Sequence, residues 1–271
     1  MLKDITIGQY VPGNSFLHRM DARVKILLTL VFIVVLFIIK HPIGYVCFTV
    51  FTLGLILASR VPIKFILKGL KPMLFILTFT AAINLFMTPG TPIWSWHVVG
   101  SWTIDLTREG IVTAVLMLLR LLYLVIGTSL LTLTTSPLML TDGIEKLLSP
   151  FRKIHVPSHE IAMMMTIAIR FIPTLAEETD KIMKAQMARG ADFESGNLVR
   201  RAKAMIPLLV PLFISAFRRA DELSVAMESR CYNGGDQRTR MKEMKLTRVD
   251  AVASIGMTVF CAGLLVIEFV L

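Results

Sequence analysis

Between Gly110 and Thr134 the chain runs for 25 residues with one charged side chain, Arg120. Helices of soluble domains average about 10–14 residues, whereas crossing a hydrocarbon core takes about 20, so this run is read as a membrane span. Residues 22–39, 43–59, 72–87 and 249–271 read the same way. Of these, 43–59 and 72–87 are short enough to need flanking Lys and Arg that reach the interface. Composition agrees: 55% of the 271 residues are apolar and 18% charged, against roughly 25% charged in soluble domains. The fold class expected is an all-α membrane protein with about five transmembrane helices.

His41-Pro42 leaves room only for a tight hairpin between the first two spans. The wider connection 88–109 holds Trp94, Trp96 and Trp102 among Pro, Gly and Ser, which suits a loop lying along the outer interface. Lys3, Arg19, Arg23 and Lys25 precede span one, and Arg60, Lys64, Lys68 and Lys71 join spans two and three, while the opposite loops offer Lys40 and Arg108. The positive-inside rule then makes the N-terminus and residues 136–248 cytoplasmic and the C-terminus outside, with 26 of the 29 basic residues on the cytoplasmic side. Topology and anionic lipid thus account for the formal charge of +10, and nucleic acid is not an expected partner. No apolar run occurs in the first twenty residues, so no cleaved signal segment is expected. Cys47, Cys231 and Cys261 are widely spaced and read as small core residues rather than a disulfide or metal framework.

The chain divides into 1–21, a cytoplasmic N-terminal segment; 22–134, spans one to four; 135–248, a cytoplasmic region of about three helices; and 249–271, the last span. A first cytoplasmic helix is expected after Pro157, capped by Ser158, and a second, amphipathic one from Pro173 to Arg189-Gly190 with Glu177/Lys181 and Asp180/Lys184 four apart. A third carries Arg200, Arg201 and Lys203, then the apolar run 204–217 with Pro207 and Pro211, and ends near Arg230. That run is too short and too rich in proline for a sixth span, so it reads as an interfacial or groove-lining surface presenting Met205, Leu208, Leu209, Leu212 and Phe213. Methionines 163–165, 183, 187, 205 and 227 suit either an adaptable docking surface or ordinary helical core.

Two tripeptides close the second and third helices: Ala188-Arg189-Gly190, and Ser229-Arg230-Cys231 followed by Tyr232 and Gly234-Gly235. Near the start stand Pro12-Gly13-Asn14-Ser15-Phe16-Leu17-His18 and Asp21-Ala22-Arg23. Together these resemble, over essentially the whole chain, the transmembrane T-subunit of energy-coupling factor (ECF) transporters, in which X-Arg-X motifs end cytoplasmic coupling helices. The second motif keeps the arginine but departs from Ala-Arg-Gly on both sides.

What the resemblance implies is a coupling subunit of a vitamin-type ABC importer. Its cytoplasmic helices dock on two ATPase subunits through the two tripeptides, and its membrane face holds a substrate-binding S-subunit, or several in alternation, with 204–217 the candidate contact. ATP and magnesium belong to the ATPases, this chain needs no cofactor, and the cargo is a water-soluble vitamin or a transition-metal ion. On the residues alone, arginine's rigid donor fork suits a carboxylate or helix end in a partner groove. A cation at a helix C-terminus also favours the helix dipole by roughly 0.3–1 kcal/mol, and both roles stand open.

Arg120, well inside span four, is expected to face a partner, a cavity or the interior, and Asn84 to hydrogen-bond to another helix. The chain has no phosphate-binding Gly-rich loop ending in Lys-Ser/Thr, no His-Glu-x-x-His and no Gly-x-Ser-x-Gly, so it is not read as an enzyme. The alternative, a self-contained secondary transporter or channel, calls for polar groups along several spans, and here Arg120 and Asn84 are the polar interruptions.

Overall fold

The computed structural model describes residues 10–99, 102–154, 157–193, 197–234 and 244–270. The chain forms two compact units, one built on residues 144–243 and the other on 8–143 with 244–271.

The second of these is the membrane unit. It contains α1 (Phe16–Arg19), α2 (Ala22–Ile38), α3 (Pro42–Ser59), α4 (Ile63–Leu70), a 3-10 turn (Lys71–Met73), α5 (Leu74–Met87), α6 (Arg108–Thr134) and α10 (Arg248–Val270). Among the described residues four stretches are long and apolar enough to cross a membrane: Pro42–Ser59, Ile63–Met87, Arg108–Thr134 and Arg248–Val270. The remaining expected stretch, 22–39, corresponds to α2, whose 17 residues rise about 25 Å, and the stretch read as 72–87 begins instead at Ile63. The helices start where their side chains satisfy free backbone N–H groups: Asp21 caps α2 by accepting from Arg23 N, and Thr107 caps α6 by accepting from Gly110 N at 3.0 Å. Pro42 opens α3 at a position where a missing N–H costs nothing.

An aromatic core holds this unit together. Phe48 is fully buried, with ring centroids of Phe32, Tyr123 and Phe260 at 4.7, 5.3 and 5.8 Å. Gly127 lets α2 approach α6, since a Cβ there would lie 2.5 Å from the Phe32 ring. Large apolar side chains also cover the outside, Leu57 and Phe75 at 77% and Phe269 at 92% exposure, as lipid-facing helices require. Arg120 turns inward as expected: its guanidinium donates to Ile39 O at 2.9 Å, satisfying a carbonyl at the end of α2, and lies over the Phe37 and Tyr45 rings. Asn84 differs from expectation, for its amide donates to Thr80 O on its own helix at 2.9 Å.

The connection 88–109 is not a loop throughout. It folds into an antiparallel hairpin, β1 (Pro92–Val99) with β2 (Trp102–Thr107), pairing Trp94 with Leu106 and Trp96 with Ile104. The alternation Trp-Thr-Ile-Asp-Leu-Thr and the aromatic and β-branched content favour a strand, and among the described residues this hairpin is the one element that is not helix.

The other unit contains α8 (Ser158–Ala188) and α9 (Leu198–Glu228), preceded by the end of α7 (Pro137–Leu148) and a 3-10 segment (Ser149–Ile154). Two expectations change here. The helices read on either side of Pro173 are one 31-residue helix with the proline inside it, and its N-cap is Pro157, so that Ser158 is already helical. α9 likewise continues through Pro207 and Pro211. α7 has no counterpart in the sequence reading.

Candidate functional site: two arginine-terminated helices

α8 and α9 stop in the same way. At the end of α8, Gly190 N donates to Met187 O and Ala191 N to Gln186 O, both at 3.0 Å, and Gly190 has φ +89°. At the end of α9, Cys231 N donates to Glu228 O at 2.9 Å and Tyr232 N to Met227 O at 3.0 Å, with Cys231 at φ +55°. Each is a Schellman closure, in which a left-handed residue turns the chain back on the last helical carbonyls. By that bonding Arg189 and Arg230 occupy equivalent cap positions, each preceded by a small residue and followed by the left-handed one.

The second motif's departure from Ala-Arg-Gly is therefore chemical and not geometric. Cys231 takes the conformation that glycine takes at 190, although a side chain there is unfavourable. All six residues, Ala188, Arg189, Gly190, Ser229, Arg230 and Cys231, are exposed. Cys231 is accordingly not a core residue, whereas Cys47 and Cys261 pack against the aromatic core. Among the described residues neither motif guanidinium has a side-chain hydrogen bond or ion pair. Gly235, part of the trailing sequence, lies outside the described residues.

Sequence reasoning missed the feature that relates the two motifs. Glu178 of α8 accepts from Arg219 Nη2 at 2.9 Å and from Ser215 Oγ at 2.5 Å, both on α9. The Ser215 hydrogen bond, with help from the Arg219 charge, holds the Glu178 carboxyl below its ordinary value despite some desolvation. Glu178 and Arg219 are 41 positions apart, as are Arg189 and Arg230, so each motif arginine lies eleven residues, about 16 Å of helix, beyond the clasp. Each helix therefore runs the same length beyond this contact before its arginine. The signal existed in the sequence as a 41-residue offset that also matches Asp180 to Asp221 and Ala185 to Ala226, too sparse to register as a repeat.

The candidate apolar surface is split by its helix. Met205, Leu209 and Phe213 are exposed at 52, 46 and 61%, Leu212 is half-buried, and Leu208 is buried at 4% and faces the packed side. Ile206, Val210, Ile214 and Phe217 extend the exposed set.

In the membrane unit, the Asp21-Ala22-Arg23 motif also has a structural role. Asp250, 2% exposed near the start of α10, accepts from Asp21 N at 2.7 Å and from Thr247 N and Oγ1 at 2.7 and 2.8 Å. Arg23 Nη2 reaches Asp21 Oδ2 at 2.7 Å and Met244 O at 3.2 Å, and Lys25 Nζ donates to Thr134 O and Thr135 Oγ1 at 3.0 Å. Burial alone would raise the Asp21 carboxyl, but the Arg23 hydrogen bonds and charge outweigh it and hold it below its ordinary value. One polar knot at the start of α2 thus ties down the end of α6 and the start of α10. Among the described residues no cluster of His, Cys, Asp and Glu could hold a metal ion.

With four helical stretches among the described residues long and apolar enough to cross a membrane, the protein is, by class, a multi-pass membrane protein. Over residues 13–260 the sequence matches the family described as cobalt transport protein, CbiQ. It is 60% identical over 268 residues to the energy-coupling factor transporter transmembrane protein EcfT of Clostridium kluyveri, covering 98% of this chain and 97% of that one. Identity to the EcfT of Ruminiclostridium cellulolyticum is 56% over 270 residues (100% and 99% of the two chains), and to that of Bacillus subtilis 46% over 262 residues (97% of each). The chain belongs to this family of energy-coupling factor transporter transmembrane proteins, and so to a multi-subunit transport complex.

Proposed function

We propose that this chain couples ATP hydrolysis by two cytoplasmic ATPase subunits to micronutrient uptake through a substrate-binding S-subunit. The observation that carries the reading is the matched pair of Schellman ends, each presenting a free arginine at the same distance from the Glu178–Arg219 clasp. Two equivalent cationic ends fit two equivalent grooves on a paired ATPase, where a guanidinium can meet carboxylates or helix C-termini bidentately. Residues 188–190 and 229–231 are the docking tripeptides. ATP and magnesium are bound by the ATPases, and this chain holds neither. The exposed Met205, Leu209 and Phe213, with Leu212 at their edge, form the S-subunit contact. Leu208 supports that face from behind. The N-terminus and α7–α9 are cytoplasmic and the C-terminus is outside, in keeping with the placement of basic residues.

Tagged protein drawn from its native membrane in mild detergent should bring two ATPases and a small membrane protein. Arg189→Ala with Arg230→Ala should lose the ATPases while the chain remains inserted. A solitary chain, able to carry solute by itself in liposomes, would replace this reading with a secondary carrier.

A further inference from the structure

α4 presents an uncompensated row of cations. Lys64, Lys68 and Lys71 recur at i, i+4 and i+7, which places them along one helical stripe, and all three are exposed. Arg60 stands at the turn just before them, also exposed. No Asp or Glu occurs anywhere from residue 22 to residue 104, and among the described residues none of these four cations has an ion-pair partner. Beside the lysines the same short helix exposes Ile63 at 62%, Phe65 at 41% and Leu67 at 58%. Ile66 alone is buried, at 3%, and anchors the helix on Ile126, Leu130 and Leu133 of α6.

Depth fixes what such a surface meets. α5 has 14 residues and rises about 21 Å, less than the roughly 30 Å hydrocarbon core. Counting about 20 residues back from Met87 puts the boundary of the core near Lys68. Leu67 then lies at the edge of the acyl chains, Ile63 and Phe65 lie in the interfacial layer just beyond it, Lys64 and Lys68 reach the headgroups directly, and Lys71 reaches them by extending its stem. A water-facing helix would gain nothing from those three apolar side chains, and a wholly buried one could not hold three unpaired ammonium groups.

We propose that the Lys64/Lys68/Lys71 stripe, with Arg60, is a binding surface for the phosphate headgroups of anionic lipid. The test uses the full chain in its purified complex, in nanodiscs of phosphatidylcholine containing phosphatidylglycerol, with a photoactivatable headgroup on one lipid or the other. Peptides spanning 60–71 should cross-link phosphatidylglycerol in preference to phosphatidylcholine. The preference should fall about fivefold per lysine changed to glutamine and shrink at high salt. The triple Lys→Arg variant, which keeps the charge, should retain it and separates loss of charge from loss of fold. Equal labelling by the two lipids overturns the proposal. So does shielding of this segment from both lipids with cross-links to an acidic surface of another subunit, which would make it a protein interface.

Discussion

Replacing Cys231 by glycine tests whether the two motifs are one structural device. A non-glycine residue in the left-handed region costs about 1–2 kcal/mol, and Cys231 occupies it at φ +55°. Glycine removes that cost but makes the unfolded chain more flexible, giving back about 0.4–1 kcal/mol. The net gain expected for Cys231→Gly is about 0.5–1 kcal/mol, local to the end of α9. The matching change, Gly190→Ala, should lose about 1 kcal/mol at the end of α8. Hydrogen exchange reads this directly, because the Cys231 and Tyr232 amides donate the two closing bonds. Their protection should rise about two- to fivefold in Cys231→Gly, while the Gly190 and Ala191 amides lose a comparable factor in Gly190→Ala. Unchanged or faster exchange at 231 and 232 would mean that the left-handed turn is not what closes α9.

Asp250→Ala should strand three donors, Asp21 N, Thr247 N and Thr247 Oγ1, and cost about 3 kcal/mol or more. A drop in thermal midpoint in detergent of about 6 °C or more checks it, and an unchanged midpoint would remove the knot from the stability account. The Glu178 clasp should be acid-sensitive: with its folded-state carboxyl below the ordinary 4.5, its contribution is complete above that value and fades as pH falls through the lower folded one. Spin labels at exposed Lys184 and Val225 should report a single α8–α9 separation at neutral pH that broadens in acid. Glu178→Gln should be broad throughout, and a titration that survives that substitution would place the acid response elsewhere.

Most of the membrane unit was legible because its signal is length and apolarity, which α3, α6 and α10 carry without exception, and because Arg120 could be satisfied only indoors. Proline and serine misled the reading of the other unit. Pro173 marks no boundary, for α8 has enough remaining backbone bonds to run through it, and Ser158 follows the cap instead of forming it. The hairpin at 92–107 was hidden by its tryptophans, which suit a membrane surface whether looped or paired. The arginines at 189 and 230 could be found from the sequence, but the contact that makes them equivalent could not. Glu178 has like-charged Glu177 beside it and a local candidate partner in Lys181, three residues on, while its partner in the structure is 41 residues away. Leu208 and its neighbours looked alike because apolar identity alone does not say which side of a helix is packed.

The polar knot at the start of α2 also has a history in time. Asp21 and Asp250 are separated by 229 residues, and at about 5–20 residues per second a ribosome needs roughly 10–45 s to make the second after the first. Arg23 lacks its Met244 carbonyl for nearly all of that interval, whereas Lys25 must stay hydrated at the membrane surface for roughly 5–22 s, until Thr134 has been made. The start of α2 therefore settles only once α10 has been made, so the two ends of this stretch of chain are fixed in a single late step.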